Sequence, residues 1–183
     1  MSRLLLVVAF CSLTLGATGC QKTATEAQKP ADDRAVEQAR LANFDDLDFN
    51  VFTHQKWNEL KKSHAENIVV HWPDGHTTSG IEKHIEDLKA LFVWAPDTRV
   101  TAHPIKIASG DYTAVTGVYE GTFTGPMALP DGKTIPPTGK AFKLDMCTVA
   151  HWSGDTIDAE YLFWDNQTFM NQVGLGQGGG GGK

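Results

Sequence analysis

Residues 141–165 read AFKLDMCTVAHWSGDTIDAEYLFWD, two runs rich in β-branched and aromatic residues around Ser153-Gly154-Asp155. Ser-Gly-Asp is turn chemistry, so Ala141 to Trp152 and Thr156 to Asp165 are read as neighbouring strands. Upstream, Tyr112 to Phe123 is another strand, entered through the turn Ser109-Gly110-Asp111. Before that turn, Val100 to Ile107 is a strand in which Pro104 marks a bulge or an edge. A proline-rich connection from Gly125 to Gly139 separates the middle strands. It is longer than a hairpin needs, so it is either a lid over a pocket mouth or a flap on the surface.

Further toward the N-terminus the period changes. Leu41, Phe44, Leu47 and Val51 recur three or four apart and, with Val36 and Phe52 at either end, predict a helix. Trp57, Leu60 and His64 mark a second short helix, and Asn67 to Trp72 a strand stopped by Pro73. Ser79 with Glu82 reads as a capping box for a third helix with Ile81, Ile85, Leu88 and Phe92 on its apolar stripe. Asn166 to Val173 closes the chain as a short helix. Helices first and strands after is an α+β pattern, with helices packed on one face of an antiparallel sheet.

The ends differ from this body. Arg3 followed by the apolar run Leu4 to Phe10, extended by Leu13 and Leu15, reads as an export signal too short to span a bilayer. The small residues that follow suit a processing site. Gln21 to Asp33 carries no large apolar side chain and reads as a linker. The expected organisation is signal 1–19, anchor and linker 20–33, folded domain 34–174 and glycine-rich tail 175–183. Net charge is −6 from 16 Lys+Arg against 22 Asp+Glu, and becomes −7 once Arg3 leaves with the signal. A mildly acidic chain lacks the basic footprint of a nucleic-acid binder. Of three cysteines only Cys147 lies in the domain, so no disulfide framework is expected.

Ala17-Thr18-Gly19-Cys20 resembles the lipobox of bacterial lipoproteins, with Ala17 where leucine is usual. The resemblance implies acylation of Cys20 and a membrane anchor on the extracytoplasmic face. Gln21 after it implies the outer membrane. The alternative is a plain secretory signal.

Within the domain, His71-Trp72-Pro73 with Gly80, Gly121-Thr122-Phe123-Thr124-Gly125, Pro136 to Lys140, Gly154-Asp155-Thr156-Ile157 and Tyr161 to Asp165 occur in order. Together they resemble the SnoaL-like, or ester-cyclase-like, family of the nuclear-transport-factor-like superfamily, over roughly residues 47–175. The resemblance implies a cone, in which a curved antiparallel sheet wraps around helices and encloses a pocket. It implies a small-molecule ligand, no metal or organic cofactor, and, in some members, sheet-to-sheet homodimers. Members that cyclise polyketides use an aspartate base and an assisting histidine. Others only bind or assemble.

Carried onto this chain, Asp165 is the candidate base, surrounded by Tyr161, Phe163, Trp164 and Phe169, or else the N-cap of the closing helix. His71, beside Trp72, is a candidate at the pocket rim or a structural histidine holding its loop. His151 assists only if it faces inward, and it alternates with Trp152. Glu160 and Tyr161 likewise face opposite sides, an outward glutamate being the ordinary expectation. Tyr119 is a pocket wall with a polar tip, or core. Phe123 stands where relatives carry histidine and Thr116 where many carry arginine, which removes two polar contacts from an enzyme site. His71, Asp74 and His76 are close in sequence, but in a Pro-Gly loop they read as turn formers, so no metal site is expected. Three functions stay open: a binding protein for an apolar or carbonyl-containing molecule, a cofactor-independent cyclase or isomerase, and an interaction module of the cell envelope.

Overall fold

A computed structural model describes residues 30–129 and 132–176. The signal, the Cys20 anchor and nearly all of the linker and tail readings fall outside the described residues. Helix α1 (Ala31–Asp46) starts inside the segment read as linker. It continues without a break into a π-helical stretch, Leu47–Phe52, and then a 3-10 turn, Trp57–Lys62. Strand β1 (His64–His71) follows, so His64 belongs to a strand and does not extend the preceding helix.

A short strand β2 (Thr77–Ser79) leads into α2 (Ile81–Trp94). The expected capping box does not form: Ser79 ends β2, and Gly80 is the N-cap with φ of +90°. Glycine takes that backbone geometry without the clash a Cβ would meet. The strand expected over Val100 to Ile107 is divided into β3 (Arg99–Val100) and β4 (Lys106–Ser109), with Pro104 in the gap. Then come β5 (Tyr112–Thr122), the small hairpin β6 (Met127–Ala128) and β7 (Thr134–Ile135), β8 (Ala141–Ser153), β9 (Thr156–Trp164) and α3 (Asn166–Gln172).

Seven strands form one curved, unclosed sheet ordered β2-β1-β9-β8-β5-β3, with β4 also on β5. All pairings are antiparallel except β1 with β9, which is parallel. The helices pack inside the curve. Phe44, Val51, Leu60, Ile68, Val70, Trp152 and Ile157 are buried between them and the concave face.

Arg40 fastens α1 to two hairpin turns. Its guanidinium donates to Gly110 O (2.7 Å), Asp111 Oδ1 (3.0 Å) and Gly154 O (3.1 Å), and lies 5.9 Å from the centre of the Trp152 ring. This is the α+β cone.

Candidate functional site

Strand alternation decides what the cone encloses. On β9 the residues facing inward are Glu160, Leu162 and Trp164, and on β8 Met146 and Thr148. With Phe44, Leu47, Phe52, Leu60, Trp72, Leu88, Leu91, Val100 and Tyr119 they line a mostly apolar cavity. About 70 Å³ of it is available to the centres of water molecules, room for a handful of waters or a small ligand. Five polar side chains reach it: Asp48, His64, His84, Thr148 and Glu160.

Asp48 sits in the π-helical stretch, where the carbonyl of Asp48 accepts from Thr53 N, five residues on (3.2 Å). Such widened turns often occur at functional positions. Its Oδ2 accepts from His103 Nε2 (2.8 Å), while His103 Nδ1 donates to Asp45 Oδ1 (2.7 Å) and Lys106 Nζ binds Asp45 Oδ2 (2.6 Å). A chain of charges thus runs from the surface to the cavity. Burial pushes the Asp48 carboxyl above its ordinary value, and the His103 contact only partly offsets this. Burial would lower His103, but the two aspartates outweigh it and its pKa is raised. Among the described residues, no hydrogen bond engages Asp48 Oδ1.

Glu160, His64 and His84 form a second cluster. His64 Nε2 lies 3.4 Å from Glu160 Oε1 and His84 Nε2 lies 3.7 Å from Oε2. All three side chains are almost inaccessible to solvent. Burial alone would raise the Glu160 carboxyl, but His64 and then His84 hold it below the ordinary value. Burial pushes His84 down to about 4, against the pull of Glu160. His64 Nε2 and His84 Nδ1 make no hydrogen bond, which leaves buried polar atoms unpaid for by roughly 1–3 kcal/mol each. One nitrogen from each imidazole and one carboxylate oxygen lie within 4.8 Å of one another, a spacing that could hold a metal ion.

The structure distributes the expected site residues over both faces of the sheet. Trp72, Tyr119, Glu160 and Trp164 line the cavity; Asp165, His71, His151 and Tyr161 do not. Asp165 caps α3: its Oδ1 accepts from Gln167 N (2.8 Å) and Thr168 N (3.1 Å), and its Oδ2 from Thr168 Oγ1 (3.1 Å). The Thr168 bonds, and then Gln167 N, hold the exposed carboxyl below its ordinary value, the wrong direction for a base. His71 faces outward, stacked on Tyr161 with ring centres 4.4 Å apart. His151 also faces outward and pairs with Asp158 (2.5 Å), while Trp152 turns into the core and donates to Thr113 Oγ1 (3.0 Å). Glu160 reverses the expectation of an outward glutamate, because the parallel β1 strand and α2 bring two histidines to it.

In the Pro73 loop, Asp74 and His76 bond to each other (2.5 Å), and Trp72 stacks on His76. The 125–139 connection contributes no cavity-lining residue among those described. Met127 and Ile135 pack on the core, which makes the segment a flap.

Asp48, His64, His84 and His103 were not singled out from the sequence as site residues. For two of them a signal was present. Asp48 stands four residues from both Phe44 and Phe52, and His84 three from Ile81 and four from Leu88, so each is a polar residue on an apolar stripe.

Comparison with known proteins agrees with this fold. The profile of the family described as SnoaL-like polyketide cyclase matches residues 47–173. No curated protein matches the chain by sequence. Among solved structures, a protein of Jannaschia sp. CCS1 described as a SnoaL-like polyketide cyclase superposes with TM-score 0.67 at 18% identity, covering 75% of this chain and 93% of its own. IdmH of Streptomyces antibioticus, described as a polyketide cyclase, gives 0.62 at 21%, covering 74% and 98%. A Catenulispora acidiphila protein with a ketosteroid isomerase-like fold, in complex with trimethylamine, gives 0.59 at 18%, covering 74% and 92%.

Proposed function

The chain belongs to the SnoaL-like polyketide cyclase family, and from that membership and its cavity we propose that it binds a small, largely apolar carbonyl compound and moves a proton on it. The observation that carries this reading is the Asp48 carboxylate in the cavity wall, raised in pKa by burial and held through one oxygen by His103. A base poised nearer neutrality than an exposed aspartate takes a carbon-bound proton better. Its second oxygen is left for substrate, and His103 keeps the carboxylate oriented.

Tyr119 closes the cavity wall with its ring, and burial raises the pKa of its hydroxyl, which is bonded to Thr98. The aspartate–histidine pair of this proposal is Asp48 with His103, in place of Asp165 with His71 or His151. Leu47, Phe52, Leu162 and Trp164 supply the apolar contacts, and the narrow volume favours a compact ligand.

The test is deuterium uptake. A panel of small cyclic ketones is incubated with the protein in heavy water and followed by proton NMR. Exchange at the carbon next to the carbonyl is expected with the wild type, and at least 100-fold slower with Asp48→Asn. No exchange above the buffer rate for any ketone would reject the catalytic part of the proposal. A small molecule retained in native mass spectra would then leave a binding protein.

The proposal extends to location and assembly. Residues 1–19 act as an export signal, and Cys20 carries lipid that places the domain at the outer face of a membrane. Metabolic labelling with an alkyne fatty acid should mark the wild type and leave Cys20→Ser unlabelled in the soluble fraction. Label retained on Cys20→Ser would refute the anchor. A homodimer forms through the convex face of the sheet.

A further inference from the structure

We propose that His64, His84 and Glu160 bind one divalent first-row transition-metal ion of the zinc class at the wall of the cavity. The three residues come from β1, α2 and β9, and β1 and β9 are hydrogen-bonded neighbours. Two imidazoles and one carboxylate are a donor set that such ions accept while keeping one position open.

The distances favour an ion over direct hydrogen bonds. Nitrogen and oxygen ligands about 2.05 Å from a tetrahedral centre stand about 3.4 Å from each other. The separations are 3.4 Å from His64 Nε2 to Glu160 Oε1 and 3.7 Å from His84 Nε2 to Oε2, so the carboxylate faces one imidazole with each oxygen. Both are long for a charge-assisted hydrogen bond, which closes to about 2.8 Å.

The surroundings of the His64 imidazole point the same way. The Ser63 hydroxyl donates to Leu60 O (3.0 Å), which can only accept, and lies 2.9 Å from His64 Nδ1. Ser63 thus meets His64 at Nδ1 and leaves Nε2 as the ring nitrogen turned toward the carboxylate. His64 Nε2 indeed has no hydrogen-bond partner, and its side chain is only 1% exposed. Orientation of a ligating histidine through its other nitrogen is a regular feature of metal sites, and Ser63 supplies it. The remaining face opens to the cavity, which has room for metal-bound water or a ligand oxygen.

Asp48 is not one of the three ligands. The full-length chain, prepared without chelators, is titrated with cobalt(II) and zinc(II). One equivalent of cobalt should give visible d–d bands, and one equivalent of zinc should shift the ring resonances of His64 and His84 while leaving His71, His76 and His151 in place. Glu160→Gln and His84→Gln should each weaken cobalt binding at least 10-fold. Asp48→Asn should still take up one equivalent of cobalt, even where it abolishes deuterium uptake. The proposal is overturned if ten equivalents of cobalt give no bands and zinc moves neither His64 nor His84. It is equally overturned if the zinc-shifted resonances belong to His71 and His76. The NMR readout on the wild type decides the matter should either variant fail to fold.

Discussion

Asp48 and Asp165 show how surroundings assign one side chain two different tasks. Both are aspartates next to aromatic residues, and both accept hydrogen bonds. Asp165 has backbone N–H donors and solvent, which stabilise the charged form, so it works as a cap. Asp48 lies in the cavity wall with a single donor, His103, and burial dominates. The partner histidine makes a pH prediction. Its folded pKa is raised, so its stabilising effect is complete below the unfolded value of about 6.5 and fades as pH rises through the folded value. His103→Asn should therefore cost about 2 kcal/mol at pH 5.5 and clearly less at pH 9, read from urea midpoints. A cost that is constant or grows with pH would show that His103 is not held as an imidazolium between Asp45 and Asp48.

At the scale of elements, the end of α2 and the chain leaving β5 meet at a contact only glycine permits. Gly125 N donates to Trp94 O (2.9 Å), and a Cβ at Gly125 would stand 2.1 Å from Val93 O. Gly125→Ala should cost about 3 kcal/mol and lower the urea midpoint without changing the slope. A midpoint within error of the wild type would show that the flap yields freely there. The elements themselves were largely legible: β5, β8, β9, α2 and α3 appear close to their periodic signals, because alternation and apolar stripes are local. The pairings were not. The parallel β1–β9 contact joins residues about ninety apart, and only that contact puts Glu160 beside His64. The site followed the same division. Trp72, Tyr119 and Trp164 could be read from resemblance, whereas the inward turn of Glu160 depends on register. Asp48 and His84 carried a local anomaly, a polar residue on an apolar stripe, which a stricter search for misplaced polarity would find. His103 carried none, since its two partners lie 58 and 55 residues away.

For the whole molecule, the two faces of the sheet divide the work. The concave face holds the cavity. The convex face carries an unbroken cross-strand row, His71, Tyr161, Val149, Ala114 and Ile107, set by the β1–β9, β9–β8, β8–β5 and β5–β4 registers. Beside it runs a second row, Phe163, Cys147 and Thr116. Ile107, Phe163 and Ile105 are each more than half exposed on this face, more apolar surface than isolated exposed residues explain. A two-fold axis through the convex face would cover both rows with a second copy, and the stacked His71–Tyr161 pair would rim the contact. Sedimentation equilibrium should then give twice the chain mass for the lipid-free protein, and one chain mass for the Ile107→Glu, Phe163→Glu double variant. Because these side chains point away from the cavity, deuterium uptake per chain should survive in that variant. A monomeric wild type would reject the dimer and leave the convex face open to another envelope protein. Loss of uptake together with loss of the dimer would mean that the second copy is needed to hold the cone in its active shape.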